Sequence, residues 1–175
     1  MTERPKLEDQ VFTIEIRAPR HRVWEEITKT GRLQLAMHNT ILESTLEPGA
    51  KLRYYSPNRK RVFVVGEVVE VSPPERFSHT FKFTMRDEEP SLVTWELADV
   101  PTGCRVTLTH GGWSNQRKTH KGVGGGWTEI LTLLAQVVET GRIPLRTRVL
   151  YRVLGGLLLL LPRSTKAESV TEAGW

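Results

Sequence analysis

Two apolar rhythms follow one another along this chain, and their order is its strongest constraint. From Ile41 to about Gly111, apolar and polar residues alternate in short runs such as KLRYYS, RVFVVGEVVEVS and RFSHTFKFTM. Turn signals separate the runs: Glu47-Pro48-Gly49, Pro57-Asn58, Pro73-Pro74, Asp87-Glu88-Glu89-Pro90 and Pro101-Thr102-Gly103. Breaks at roughly 8–14-residue spacing predict an antiparallel meander rather than βαβ units. Phe77, His79, Phe81 and Phe83 share one face of their run, as do Val93, Trp95 and Leu97, and then Val106, Leu108 and His110. After the meander the rhythm changes. Trp127, Ile130, Leu131, Leu134, Val137 and Val138 recur at three and four, the pattern of an amphipathic helix, and Gly141 suits its C-terminal cap. Such a helix must lie on something apolar, and the concave face of the meander is the available partner.

An alternating strand over 11–17 precedes all this. Pro19 then opens a short helix with Val23, Trp24 and Ile27 as its stripe, ended by Gly31, and an irregular or helical stretch runs through Met37. Strands segregated from the main helix define an α+β protein. The expected architecture is a curved antiparallel sheet of about six to seven strands around one long C-terminal helix, with a cavity between them.

The length of 175 residues suits one compact core. Cys104 is the single cysteine, which excludes an intrachain disulfide and a multi-Cys zinc site. The net charge of +5 is unevenly spread. Residues 1–141 carry 19 basic and 18 acidic side chains; residues 142–163 carry five arginines and no acid; residues 164–175 carry Lys166 against Glu168 and Glu172. The N-terminal MTERPKLEDQ has no apolar h-region, so a cytoplasmic location is expected.

An ordered set of segments makes a family resemblance visible. These are Ile14-Glu15-Ile16-Arg17-Ala18-Pro19 running into Val23-Trp24, then Glu47-Pro48-Gly49, and then Gly66 through Phe77. Val93-Thr94-Trp95-Glu96-Leu97, Gly103 through His110, and Gly126-Trp127 with Ile130, Leu131 and Leu134 complete it. Over roughly residues 10–142 the chain resembles the START/birch-pollen-allergen-like (SRPBCC) superfamily, in the branch related to the C-terminal domain of the activator of heat-shock protein 90 ATPase. The resemblance implies a helix-grip fold, with two small helices and a long C-terminal helix enclosing an apolar pocket. It implies binding of lipids, sterols, polyketides or other hydrophobic molecules, with co-chaperones and a few cyclases or hydratases among the members. The chain departs from the pattern at Leu35-Ala36-Met37-His38, where the family often has a Trp. With about ten residues before its first strand, it is expected to lack the co-chaperone's separate N-terminal domain.

Candidate chemistry centres on the apolar faces. His79 and His110 are the polar groups that alternation turns inward, and either would serve as a general base if a carboxylate met it. Otherwise each is a histidine bonded within the core or, for His110, at its rim. Cys104 has no local base and reads as a small buried hydrophobe. Gly122-Val123-Gly124-Gly125-Gly126 lacks both phosphate-loop patterns and reads as a flexible, gating entry to the long helix. No HExxH, CxxC or paired His–carboxylate spacing is present, so neither a metal nor a cofactor is expected. The aromatic set Tyr54, Tyr55, Phe63, Phe77, Phe81, Phe83, Trp95 and Trp127 supplies a cavity lining or an ordinary core. The expected ligand-binding residues are His79, Phe81, Phe83, Trp95, Trp127 and Leu131, and no catalytic residue is assigned.

The domain is expected to close near residue 142, leaving 143–175 as an Arg/Leu-rich extension with a polar tail. IPLRTRVLYRVLGGLLLLL over 143–161 reads as an extra apolar helix, with Leu150, Val153, Leu154, Leu157 and Leu161 on one stripe and Arg148 and Arg152 on another. It suits peripheral membrane contact, docking on the domain or homodimerisation, and is a poor nucleic-acid surface. Three functions are carried forward. The first is a non-catalytic carrier or sensor of a hydrophobic small molecule or lipid. The others are a chaperone-cofactor-like interaction module and a cyclase- or hydratase-type enzyme acting on a hydrophobic substrate.

Overall fold

The computed structural model describes residues 7–175; part of the N-terminal segment read above, residues 1–6, lies outside the described residues. Eight antiparallel strands form one sheet: β1 Gln10–Ile16, β2 Leu33–Gln34, β3 Thr40–Glu43, β4 Lys51–Tyr55, β5 Val62–Ser72, β6 Arg76–Phe83, β7 Ser91–Val100 and β8 Gly103–Gly111. Their order is β1-β8-β7-β6-β5-β4-β3-β2, so the meander runs from β2 to β8 and β1 closes the far edge on β8. A short helix α1, Arg20–Ile27, and a long helix α2, Arg117–Thr140, cover the concave face. This is the α+β helix-grip architecture. Its count exceeds six to seven strands because β2 is two residues long, too short for alternation to show.

The sheet curves for identifiable reasons. The pairing of β5 with β6 is interrupted between Val68 and Glu70, and that of β4 with β5 between Tyr54 and Tyr55. Such irregularities bend a strand and raise its twist. At Gly66 the neighbouring β6 backbone comes so close that a Cβ would sit 1.9 Å from the Thr80 carbonyl oxygen, so only glycine fits. The concave face then closes over Phe77, Trp95, Leu108 and Leu134, each at most 1% exposed.

Two local expectations are corrected. α2 begins at Arg117, ten residues before Trp127, so the glycine-rich 122–126 lies inside the helix and is not a flexible gating loop. The second small helix implied after α1 is replaced by β2 and a turn over 35–39 that ends on positive φ at His38 and Asn39, 51° and 60°, so the stretch through Met37 is irregular rather than helical. The polar tail carries a short helix, α4, Ala167–Glu172, which packs Val170 against Val62 and Val65 on the outer face of β5. Gly141 does cap α2, at φ 71°, with its N–H donating to the Val137 carbonyl at 2.8 Å.

Beyond α2, helix α3 spans Leu145–Leu157 and tightens to a 3₁₀ turn at Leu158–Leu160. Its inward side is narrow. Thr147 is buried, and the Tyr151 hydroxyl donates to the Leu35 carbonyl at 3.1 Å. The chain after it is tied down by Arg61, 8% exposed, whose guanidinium donates to the carbonyls of Leu161 and Pro162 and to Thr165 Oγ1 at 3.0–3.3 Å. A buried guanidinium surrounded by carbonyls holds these segments jointly. Arg61→Ala is expected to lower stability by about 2–3 kcal/mol and to raise amide exchange selectively over 158–170. Hydrogen-exchange mass spectrometry checks both.

Candidate functional site

Between α2 and the strands β4–β6 lies a cavity of about 340 Å³. Its wall is built from the inward-facing positions of β6, His79, Phe81 and Phe83, together with Tyr54 of β4 and Phe63 and Val64 of β5. α2 supplies Val123, Trp127 and Ile130, and Met37 and His38 form the rim. No Asp, Glu, Lys or Arg reaches the lining.

Four of the six expected residues, His79, Phe81, Phe83 and Trp127, face this cavity. The other two do not line it. Trp95 stands behind the wall, edge-on to Trp127 with ring centroids 5.9 Å apart. Leu131, 4% exposed, is one turn further along α2 and packs into the core. Both lie on the predicted faces. Alternation identifies a face, but not how far along it the cavity extends.

The glycine-rich segment has a spatial meaning instead. Gly122 and Gly126 are one helical turn apart and both line the cavity. Only Gly126 leaves open volume there; at Gly122 the Arg86 guanidinium lies against the helix, 3.2 Å from where a Cβ would sit. A Cβ at Gly126 would meet nothing closer than His38 Cε1, at 3.8 Å. The i, i+4 spacing of the two glycines was the available signal in the sequence.

The two inward histidines are fully buried and differently employed. His79 Nδ1 lies 2.8 Å from the Thr80 carbonyl oxygen. A carbonyl only accepts, so Nδ1 carries the proton and Nε2 is left with its lone pair. Burial is the main influence on His79 and pushes its pKa down to about 4, so the ring is neutral at physiological pH. Tyr54, its ring centroid 6.4 Å from that of His79, has its phenol pKa raised by burial. The two inner polar groups of the cavity, His79 and Tyr54, are thus held neutral.

His110 sits in a chain of hydrogen bonds whose direction is dictated end to end. Trp127 Nε1, which only donates, reaches His110 Nδ1 at 2.8 Å. Nδ1 is therefore the acceptor, and Nε2 carries the proton toward Ser91 Oγ at 2.7 Å. Ser91 Oγ in turn donates to the Phe81 carbonyl at 3.1 Å. Ser91 and His110 resemble a nucleophile with its base, but the proton polarity is reversed: this histidine gives a hydrogen bond to the serine and has no free nitrogen to take its proton. The chain instead fixes the indole of Trp127 against the cavity. His110 is fully buried rather than at the rim, and burial, then the charges of His79 and His120, push its pKa down to about 3. Ser91, which links His110 to the Phe81 carbonyl, escaped sequence reasoning because only the β7–β8 pairing brings it to His110.

Cys104 is buried at the start of β8, and burial pushes its thiol pKa up. Among the described residues, no three His, Cys, Asp or Glu side chains gather closely enough to hold a metal ion. A second groove of about 380 Å³ runs beneath α3. It shares His38 and Phe63 with the cavity and is bounded by Leu150, Leu154 and Leu158.

Fold and cavity together define a helix-grip protein with an apolar chamber under its long helix. The chain belongs to the family of Activator of Hsp90 ATPase homolog 1-like proteins, whose family model matches residues 17–139. No curated protein matches it. Among solved structures it is similar to protein MLL2253 from Mesorhizobium loti, at 21% identity and a TM-score of 0.65 over 78% of this chain and 100% of that one. It is also similar to DynU16, a protein in the dynemicin biosynthetic locus, at 21% identity and a TM-score of 0.65 over 79% of this chain and 49% of that one. A third is PFC0360w, an HSP90 activator from Plasmodium falciparum, at 22% identity and a TM-score of 0.61 over 76% of this chain and 96% of that one.

Proposed function

We propose that the protein binds one uncharged, hydrophobic small molecule or lipid in the cavity under α2 and acts as its carrier or sensor. The observation that carries this reading is a chamber of about 340 Å³ whose lining is apolar and aromatic and holds no charged side chain. Ligand pockets of this kind run from about 300 to 1,000 Å³, so the occupant is compact or a single chain. His79 Nε2 is one acceptor available to it, beside the hydroxyls of Tyr54 and Thr40, which suits a molecule with a hydroxyl or amide group on an otherwise apolar frame.

The alternatives fit less well. An interaction module working through its outer surface needs no open chamber. An enzyme of the cyclase or hydratase kind needs an acid–base pair in the chamber, whereas His79 bonds a backbone carbonyl and His110 bonds Ser91 and Trp127.

Native mass spectrometry of freshly purified protein, paired with titration of an uncharged solvatochromic dye, tests the reading. The expected result is a one-to-one adduct, or dye uptake with a blue-shifted emission that a single-chain alcohol displaces. An apo mass together with no dye uptake would rule out the carrier.

A further inference from the structure

We propose that the outer face of α3 and the turn after it is a docking surface for an anionic lipid membrane. Leu150, Leu154 and Leu157 of this helix also border the groove that adjoins the cavity, but the proposal does not depend on what the cavity holds.

The first observation is apolar exposure. Eight large hydrophobic side chains between Leu145 and Leu160 are 47–83% exposed, among them Val153 at 58%, Leu159 at 83% and Leu160 at 81%. The other exposed large hydrophobics among the described residues, Val11, Leu33, Val69 and Met85, are scattered over β1, β2, β5 and the turn after β6. A contiguous patch of this kind marks an interaction site, whereas single exposed residues do not.

The second observation is charge. The same stretch, 142–163, holds five arginines and no acid, and none of the five forms an ion pair among the described residues. Arg148 and Arg152 lie one turn apart, flanking the apolar stripe of Val149, Val153 and Leu157. An apolar stripe flanked by unpaired arginines is the pattern of a helix that lies in a membrane interface, its leucines among the acyl chains and its cations at the headgroups.

The third observation is mounting. α3 is 13 residues long, and no helix among the described residues is long and apolar enough to cross a membrane. The exposed leucines are nevertheless held in place. Tyr151 binds Leu35 on one side, and Arg61 grips the carbonyls of Leu161 and Pro162 on the other. The protein thus presents a preformed face.

A second copy of the chain is the competing occupant, and electrostatics disfavours it. A two-fold interface brings the same patch against itself. Five arginines would meet five arginines with no acid in the segment to pair them. A surface rich in anionic headgroups meets the same charges favourably.

The test is co-sedimentation of the full chain with two kinds of vesicle, one of equal parts phosphatidylcholine and phosphatidylglycerol and one of phosphatidylcholine alone. The expected result is strong partition onto the mixed vesicles, weaker partition onto the neutral ones, and loss as salt is raised. The double variant Val153→Glu/Leu157→Glu should weaken partition by about tenfold or more. Both positions are already half-exposed, so this variant keeps its fold. Arg148→Gln/Arg152→Gln leaves the apolar stripe intact and should weaken partition by roughly tenfold, most strongly at low salt. No partition onto the mixed vesicles at low salt would overturn the proposal, as would partition that both variants leave unchanged. A dimer seen by light scattering that Val153→Glu/Leu157→Glu dissociates, without lipid partition, would assign the face to self-association and overturn it equally.

Discussion

As the pH is lowered through 6.5, the protein should lose stability steeply. His79 and His110 each titrate near 6.5 in an unfolded chain, but the native state holds them neutral down to about 4 and about 3. Between those limits the unfolded chain binds protons that the folded chain refuses, so stability rises with pH in that window and levels off above 6.5. Below the window the penalty is complete. Each histidine contributes about 1.4 kcal/mol per pH unit while it is protonated only in the unfolded state, so the pair contributes about 2.7 kcal/mol per pH unit. Two units below the onset, the loss is roughly 5 kcal/mol, comparable to the whole stability of many domains. Denaturant melts followed by tryptophan fluorescence at stepped pH measure it directly. Replacing both histidines with Gln removes the titration and should flatten the profile between pH 4 and 6.5. A wild-type profile that is flat across this window would mean that the two rings are not held neutral in the fold. The physical cause is desolvation. Both rings are at most 1% exposed, and neither meets an acid that would stabilise its charge.

Gly126→Leu should abolish or strongly weaken ligand uptake while leaving the fold intact or slightly more stable. The Cβ at this position points into open space, with His38 Cε1 its nearest neighbour at 3.8 Å. The further carbons of leucine therefore enter the cavity rather than a packed wall. A ligand forced to share the chamber meets an overpacking penalty of about 1–3 kcal/mol, which is roughly ten- to hundredfold in affinity. The backbone effect has the opposite sign. Gly126 lies inside α2, where replacing glycine with a better helix former gains up to about 1 kcal/mol. Dye titration and thermal melting of the same sample separate the two. Lost uptake with a retained or raised Tm is the expected pair of results. Unchanged uptake would place the ligand elsewhere, for example in the groove beneath α3.

The legible part of the site was its faces. Strict alternation in β6 turns Phe77, His79, Phe81 and Phe83 to one side, and the sheet keeps that assignment because shifting by one residue would invert every side chain. The extent of the cavity along those faces was not legible. Trp95 and Leu131 share faces with true lining residues yet sit behind the wall, since the curvature set at Gly66 and at the irregularity after Val68 decides where α2 and the sheet part. The glycine-rich run misled for a related reason. Glycine weakens a helix in isolation, but α2 is held by burial of Val123, Trp127 and Leu134, and packing outweighs propensity.

What the sequence by itself determined is periodic or local: the order of strands and long helix, the inward faces of β6–β8, the cap at Gly141 and the concentration of arginine and leucine after residue 141. Each follows from a rule that reaches only a few residues along the chain. What the tertiary structure alone decided is non-local. The proton polarity of Ser91, His110 and Trp127 depends on three segments meeting, and Arg61 closes on carbonyls about a hundred positions away. The volume vacated by Gly126 acquires meaning only when the aromatic wall of β6 stands opposite. Hydrophobic pattern chooses which side of an element is buried, but a cavity is the space that packing fails to fill, and it exists only once every neighbour is in place.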